Sequence, residues 1–227
     1  MPQDVTPFST GSATPETSQL PDADPEAKPA EAPAPTPEAE AEAEAEAEAE
    51  AALPPLSPQD FRVYNRLAET MDYFHDHFRK MYSTLQTACI TGRRPSNMSL
   101  KQFIDEGLRL ASYLETHHTI EETHLYPLLA RKMPEFPAGK QKKGSKKKEE
   151  CELLRQHKVI HDGMDDVAGY LTRCKNREVE LELGVLKEKL DGFGEVLLRH
   201  LEQEVEDLGA EKMRRVWSLQ EMRAFPI

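Results

Sequence analysis

The chain has 227 residues, 38% of them hydrophobic and 31% charged, with 41 acidic against 29 basic side chains and a formal net charge of −12. That length admits one domain with tails or two small domains. No run of about 18 apolar residues is present, which excludes a membrane-spanning helix. The N-terminus lacks a basic stretch leading into an apolar one, and the three cysteines form no CxxC pair, so neither a secretory signal nor a disulfide scaffold is expected. The simplest expectation is a soluble cytoplasmic protein in a reducing compartment.

Residues 1–56 stand apart. They hold eleven of the seventeen prolines, a single aromatic residue (Phe8), and the Glu-Ala run from Glu38 to Ala52. Thirteen acidic side chains and one basic one, Lys28, give this segment a net charge of −12 and leave 28 of each sign in the rest of the chain. Such a stretch buries too little apolar surface to offset its ordering entropy, so a disordered acidic tail is expected over 1–56. The folded part, 57–227, is formally neutral.

From Ser57 the pattern is helical. Ser57-Pro58 supplies a capping hydroxyl and a proline at the first helical position. Leu67, Met71, Phe74, Phe78, Met81 and Leu85 then recur at helical spacing until Gly92. A second helix opens at Ser99 with Gln102 completing a capping box. Its apolar face runs Phe103, Leu110, Leu114, Leu125 and Leu129 and fades near Met133-Pro134. Residues 134–150 form a long basic loop containing KQKKGSKKK. A third helix carries Leu154, Ile160, Met164, Ala168 and Leu171, and a fourth carries Leu183, Leu186, Leu190, Phe193, Leu197, Leu201 and Leu208. The end, with Trp217, reads as a short amphipathic helix packed on the rest. No alternating strand pattern occurs. The expected fold is all-α, an antiparallel four-helix bundle with a disordered N-terminal tail and a short C-terminal helix.

Ionisable residues interrupt these apolar faces. The first helix offers His75, the second His118 and Glu122, the third His157 and His161, and the fourth His200 and Glu204. Residues four apart lie about 40° from each other around a helix and about 6 Å along it, so both can lean on one point. Any single pair is better read as a surface contact worth a few tenths of a kcal/mol. Four sets on four apolar faces point instead to a metal site. Five imidazoles and two carboxylates exceed the four ligands of a zinc ion and suit two octahedral ions. Nitrogen and oxygen ligands without thiolate favour iron or manganese. His117 and Glu121 are also four apart and lie as near the apolar stripe as His118 and Glu122, so periodicity leaves that choice open.

Together these motifs resemble the hemerythrin family in its HHE-type branch. HHTIEETHLYP is similar to the signature HHxxEExxLFP, MDYFHDHFR to the first-helix histidine motif, QHKVIH to the third-helix pair and HLEQE to the last-helix pair. The resemblance covers roughly 57–208. Respiratory hemerythrins carry an aspartate five residues after the last histidine; here Val205 stands there and Glu204 one position earlier, as in HHE-type members. The resemblance selects His118 and Glu122 over His117 and Glu121. It implies a non-haem pair of Fe ions, with Mn or a mixed pair also compatible. His157, His161 and His200 would hold one ion, His75 and His118 the other, and Glu122 and Glu204 would bridge them. The two-histidine ion would keep a position for dioxygen, peroxide or nitric oxide.

The resemblance therefore implies binding of dioxygen or a related small ligand, for oxygen or redox sensing, storage or iron handling. The alternatives are a di-iron oxidoreductase acting on peroxide or nitric oxide, and an interaction module whose metal site is structural or empty. A metal and small-ligand binder is favoured over an enzyme. His77, His117 and His124 are expected outside the ligand set, and Phe74, Phe78, Leu197, Tyr113 and Tyr126 in the core. The basic run is read as a solvated loop, because no aromatic residue interleaves it; nucleic-acid binding and nuclear import are the disfavoured readings. The scattered cysteines are read as packing residues.

Overall fold

A computed structural model describes residues 53–137 and 151–226. The acidic tail up to residue 52 and the basic run within 138–150 lie outside the described residues. Helix α1 spans Pro58–Thr91, α2 Leu100–Ile120, α3 Tyr126–Leu129, α4 Glu152–Lys175, α5 Leu183–Asp207, α6 Ala210–Val216 and α7 Leu219–Ala224. No strand occurs among the described residues, and none of these helices is long and apolar enough to cross a membrane.

The local signals act as their chemistry dictates. The Ser57 side chain accepts from the Asp60 backbone N–H, and Pro58 occupies the first helical position. Gly92 closes α1 at φ 67°, a left-handed conformation that glycine adopts without a Cβ clash. Ser99 and Gln102 make both bonds of a capping box. The chain end differs from the single helix expected: it forms two, α6 and α7, the second with its own capping box at Ser218 and Glu221. Arg66 holds this end by donating to the Met222 and Phe225 carbonyls.

The apolar side chains form two clusters. One includes Phe78, Leu85, Phe103, Leu114, Ile160, Leu171, Leu197 and Leu201. The other includes Met71, Tyr126, Leu129, Leu153, Leu208, Met213 and Trp217. Each long helix passes from one to the other. Along α1 the order is second then first, along α2 and its continuation first then second, along α4 second then first, and along α5 first then second. That alternation is the up-down-up-down course of an antiparallel four-helix bundle. In the layer between the clusters lie His75, His118, Glu121, His157, His200 and Glu204, all buried.

Small residues let the bundle close. A Cβ at Gly194 would fall 1.8 Å from the Tyr82 hydroxyl oxygen, so α1 and α5 approach closely there only because the side chain is missing. Two expected core positions lie elsewhere: Phe74 is 47% exposed and Tyr113 is 44% exposed, because each sits at the margin of its helix stripe. Cys89 and Cys174 are buried thiols that pack in the first cluster, and Cys151 is half-buried at the start of α4.

Candidate metal centre

The second helix does not run straight through the centre. After Ile120 the backbone widens into one π-type turn, Glu121–Leu125, before α3 resumes the α-helical course. The Tyr126 N–H bonds to the Glu121 carbonyl, five residues back. Pro127 gives the reason. It has no N–H to offer the Thr123 carbonyl, and its ring crowds that carbonyl, so a regular α-turn cannot close there. Wide turns of this kind recur at functional sites.

The geometry of α2 selects among the four ionisable residues that precede and enter this turn. Phe103 and Glu121 are eighteen positions apart, five full turns, so they share one azimuth. Leu110 and Leu114 lie about 20° to either side of it, His117 about 40° to one side and His118 about 60° to the other. Glu122 is about 100° away. Both histidines therefore flank Glu121 on the buried face, and Glu122 turns outward. Glu121 is 2% exposed, whereas the Glu122 side chain is 43% exposed.

Two groups of side chains converge in the polar layer. His118, Glu121, His157 and His200 form one, and His75, His117, Glu121 and Glu204 the other; within each group one ligand atom per residue lies within 4.8 Å of the rest. Glu121 belongs to both. Its Oε1 is 2.9 Å from His117 Nε2 and its Oε2 is 3.5 Å from His157 Nε2. Glu204 Oε2 is 3.4 Å from His75 Nε2 and 3.3 Å from His200 Nε2.

Five of the seven residues expected from the sequence are thus brought together: His75, His118, His157, His200 and Glu204. The remaining two stand beside the centre and face its histidines. Glu122 Oε1 lies 2.8 Å from His157 Nδ1, and His161 Nε2 lies 3.2 Å from His118 Nδ1. His161 is half-buried because it sits on the flank of α4 that faces α2. His117, expected outside, has a side chain only 11% exposed and points inward. His77 and His124 are exposed.

The hydrogen bonds orient the imidazoles. His75 Nδ1 donates to the Leu201 carbonyl (2.8 Å), and His200 Nδ1 to Gln156 Oε1 (3.0 Å). His157 Nδ1 faces the Glu122 carboxylate in the same way. Each bond fixes the tautomer and leaves the Nε2 lone pair facing the centre, the arrangement that outer partners impose on metal-binding histidines. Meanwhile His118 Nε2, His200 Nε2, both Glu121 oxygens and Glu204 Oε2 are buried without any hydrogen bond. An unpartnered buried polar atom costs about 1–3 kcal/mol, more when charged. Five of them aimed at one layer, divided between the two groups, fit bound cations, which would satisfy them.

The electrostatics agree with that donor set. Burial holds His117 down to about 3 and His200 down to about 4, and it depresses His118 and His157 as well, so these imidazoles stay neutral and keep their lone pairs. Burial also pushes Glu121 well above the carboxylate range, with the facing Glu204 adding to it. Burial raises Glu204 too, but the His200 and His75 imidazoles and the Tyr126 hydroxyl outweigh it and hold that carboxyl at about 2. Without a cation a proton would therefore rest on Glu121 while Glu204 stays ionised.

A family model for the hemerythrin HHE cation binding domain matches residues 66–210, which include every residue of both groups. The chain belongs to this hemerythrin HHE family. No curated protein and no solved structure gives a match. Hemerythrin HHE domains bind cations, and the two His/Glu groups described above fit a metal site.

Proposed function

We propose that this hemerythrin domain is a non-haem di-iron protein that binds dioxygen or a related small ligand. The observation that supports it is the pair of buried donor groups sharing Glu121, with inward nitrogens and oxygens left unpartnered. One ion would be held by His118, His157, His200 and Glu121, the other by His75, His117, Glu121 and Glu204, with Glu204 Oε2, 3.3 Å from His200 Nε2, also placed to reach the first. The donor count is that of the sequence expectation, five imidazoles and two carboxylates, with His117 and Glu121 in the places given to His161 and Glu122.

Imidazole and carboxylate without thiolate suit iron or manganese over copper(I) or zinc-type tetrahedral sites. An iron pair in this layer would supply two electrons to a bound small molecule. The chain's own residues set the conditions. His75, His157 and His200 are oriented by their Nδ1 bonds, Glu121 faces both donor groups, and the two apolar clusters keep bulk water away from the layer. Phe74 and Phe78 lie against the His117 ring, with centroids 6.2 and 5.0 Å apart, and give the two-histidine side an apolar flank suited to an uncharged diatomic ligand. With two carboxylates shared, the three-histidine ion has five protein donors and the two-histidine ion four, so exogenous ligands would bind on the latter.

The test is anaerobic iron loading followed by metal analysis and visible spectra before air, after air and after removal of oxygen. Two irons per chain with a band that comes and goes with oxygen support the binder. Sustained turnover of peroxide or nitric oxide supports an oxidoreductase instead. Less than one metal per chain rejects the di-iron reading.

A further inference from the structure

The two carboxylates of the centre are not equivalent, and Tyr126 is the reason. Tyr126 opens α3 directly after the wide turn, and its side chain is fully buried. Its hydroxyl donates to Glu204 Oε1 and lies 3.1 Å from His157 Nε2. A phenol has one proton to give. His157 already turns Nδ1 to Glu122, so its Nε2 is the lone pair aimed at the centre. Once that lone pair is engaged by a cation, Glu204 is the remaining acceptor for the hydroxyl. The other oxygen of Glu204, Oε2, takes no hydrogen bond and lies almost equidistant from His75 Nε2 and His200 Nε2. Glu121 has no such clamp: both of its oxygens are unpartnered, and they face different donor groups.

We propose that Tyr126 is a positioning residue that restricts Glu204 to one ligating oxygen, Oε2, shared between the two ions, while Glu121 spans them with both of its oxygens. This rests on the ligand set proposed above. With Oε1 engaged by the hydroxyl, Glu204 would be held back from chelating the two-histidine ion, which would then keep a position for an exogenous ligand. The wide turn begins at Glu121 and leads directly into Tyr126, so it would set the placement of both carboxylates. The hydroxyl is also what separates the LYP of this chain from the LFP of the signature it resembles.

The experiment compares the full chain with Tyr126→Phe, which keeps the ring packed on Phe136 at 5.5 Å and removes only the hydroxyl. Both are loaded with iron, and metal content, loaded-minus-apo infrared spectra and azide binding to the oxidised pair are measured. The wild type is expected to show one carboxylate with the wide stretching separation of single-oxygen ligation and one with the narrow separation of a two-oxygen bridge. Tyr126→Phe is expected to keep two irons, convert the wide pair of bands to a narrow one, and bind azide about 10-fold or more weakly. Two narrow sets in the wild type, or identical bands in both proteins, would overturn the proposal while leaving the metal assignment intact. So would an intense phenolate-to-iron band in the wild type that the variant lacks, since a ligating phenolate has no proton for Glu204. Less than one iron per chain in the wild type would instead remove the ligand set itself.

Discussion

Helices α2 and α5 each carry histidine and glutamate into the centre, and they do it differently. On α5, His200 and Glu204 sit four apart on an unbroken helix, and both are fully buried. On α2 the run HHTIEE offers two such pairs, and the structure follows neither alone. It buries His118 and the one carboxylate between the two histidines in azimuth, and turns the partly buried His117 inward. Spacing is a sufficient guide where a helix is regular and offers a single candidate pair. Where donors are adjacent in sequence, the centre of the apolar stripe decides, and the helix must be followed only as far as it stays regular.

The sharpest way to break this contrast is to remove the shared carboxylates. Glu121→Ala and Glu204→Ala are expected each to bring iron below one per chain after anaerobic loading and to abolish the metal-dependent rise in melting temperature, because the remaining donors lose their common partner. Glu122→Gln is expected to keep two irons. Equal metal content in the Glu121 and Glu122 variants would erase the distinction between the two carboxylates.

Acidification of the metal-free protein comes next in size. The unfolded chain protonates its histidines below about 6.5, whereas folded His200 and His117 resist protonation down to about 4 and about 3. The unfolded state therefore binds more protons over that window, and folding stability should fall as pH drops from about 6.5 towards 4, by on the order of a few kcal/mol in total. Glu121 opposes this above the ordinary carboxylate range, since its folded form holds a proton more tightly. Four depressed histidines outweigh it. Denaturant midpoints at pH 7 and pH 5 check the sign; equal midpoints would contradict it.

Smaller effects probe the residues beside the centre. Glu122→Gln, which replaces the carboxylate facing His157 by a neutral amide, and His161→Ala, which removes the partner of His118, should weaken metal binding by about 10–100-fold without changing stoichiometry, as measured by chelator competition. If His161→Ala halved the iron content, His161 would rank with the residues that hold the ions. Least of all, His77→Ala and His124→Ala lie on the surface and should change stability by no more than about 0.5 kcal/mol and leave iron content alone.

Much of the fold was legible beforehand because its signals are local. Ser57-Pro58, Gly92 and the Ser99–Gln102 box mark helix ends through bonds within one turn of chain, and the structure realises all three. The apolar periodicity gave four long helices, although Phe74 and Tyr113 lie at the stripe margins and are exposed. At the centre, His75, His157, His200 and Glu204 were legible as polar intrusions into otherwise apolar faces. The choice among His117, His118, Glu121 and Glu122 was left open by the full stripe, and the resemblance alone favoured His118 and Glu122. Leu125 ends the wide turn and Leu129 lies beyond it, and counting them blurs the stripe's azimuth. Phe103, Leu110 and Leu114 alone point to Glu121.

The sequence by itself determined that four amphipathic helices would form, that polar donors would share a level in them, and that the donors would be nitrogen and oxygen. These follow from side-chain chemistry and a fixed helical repeat. Only the tertiary structure decided which carboxylate of α2 is inside, that His117 joins the centre, and that Tyr126 reaches Glu204. Those outcomes depend on a backbone turn widened by Pro127 and on side chains 78 positions apart meeting across the core, where no periodicity within one helix can register them.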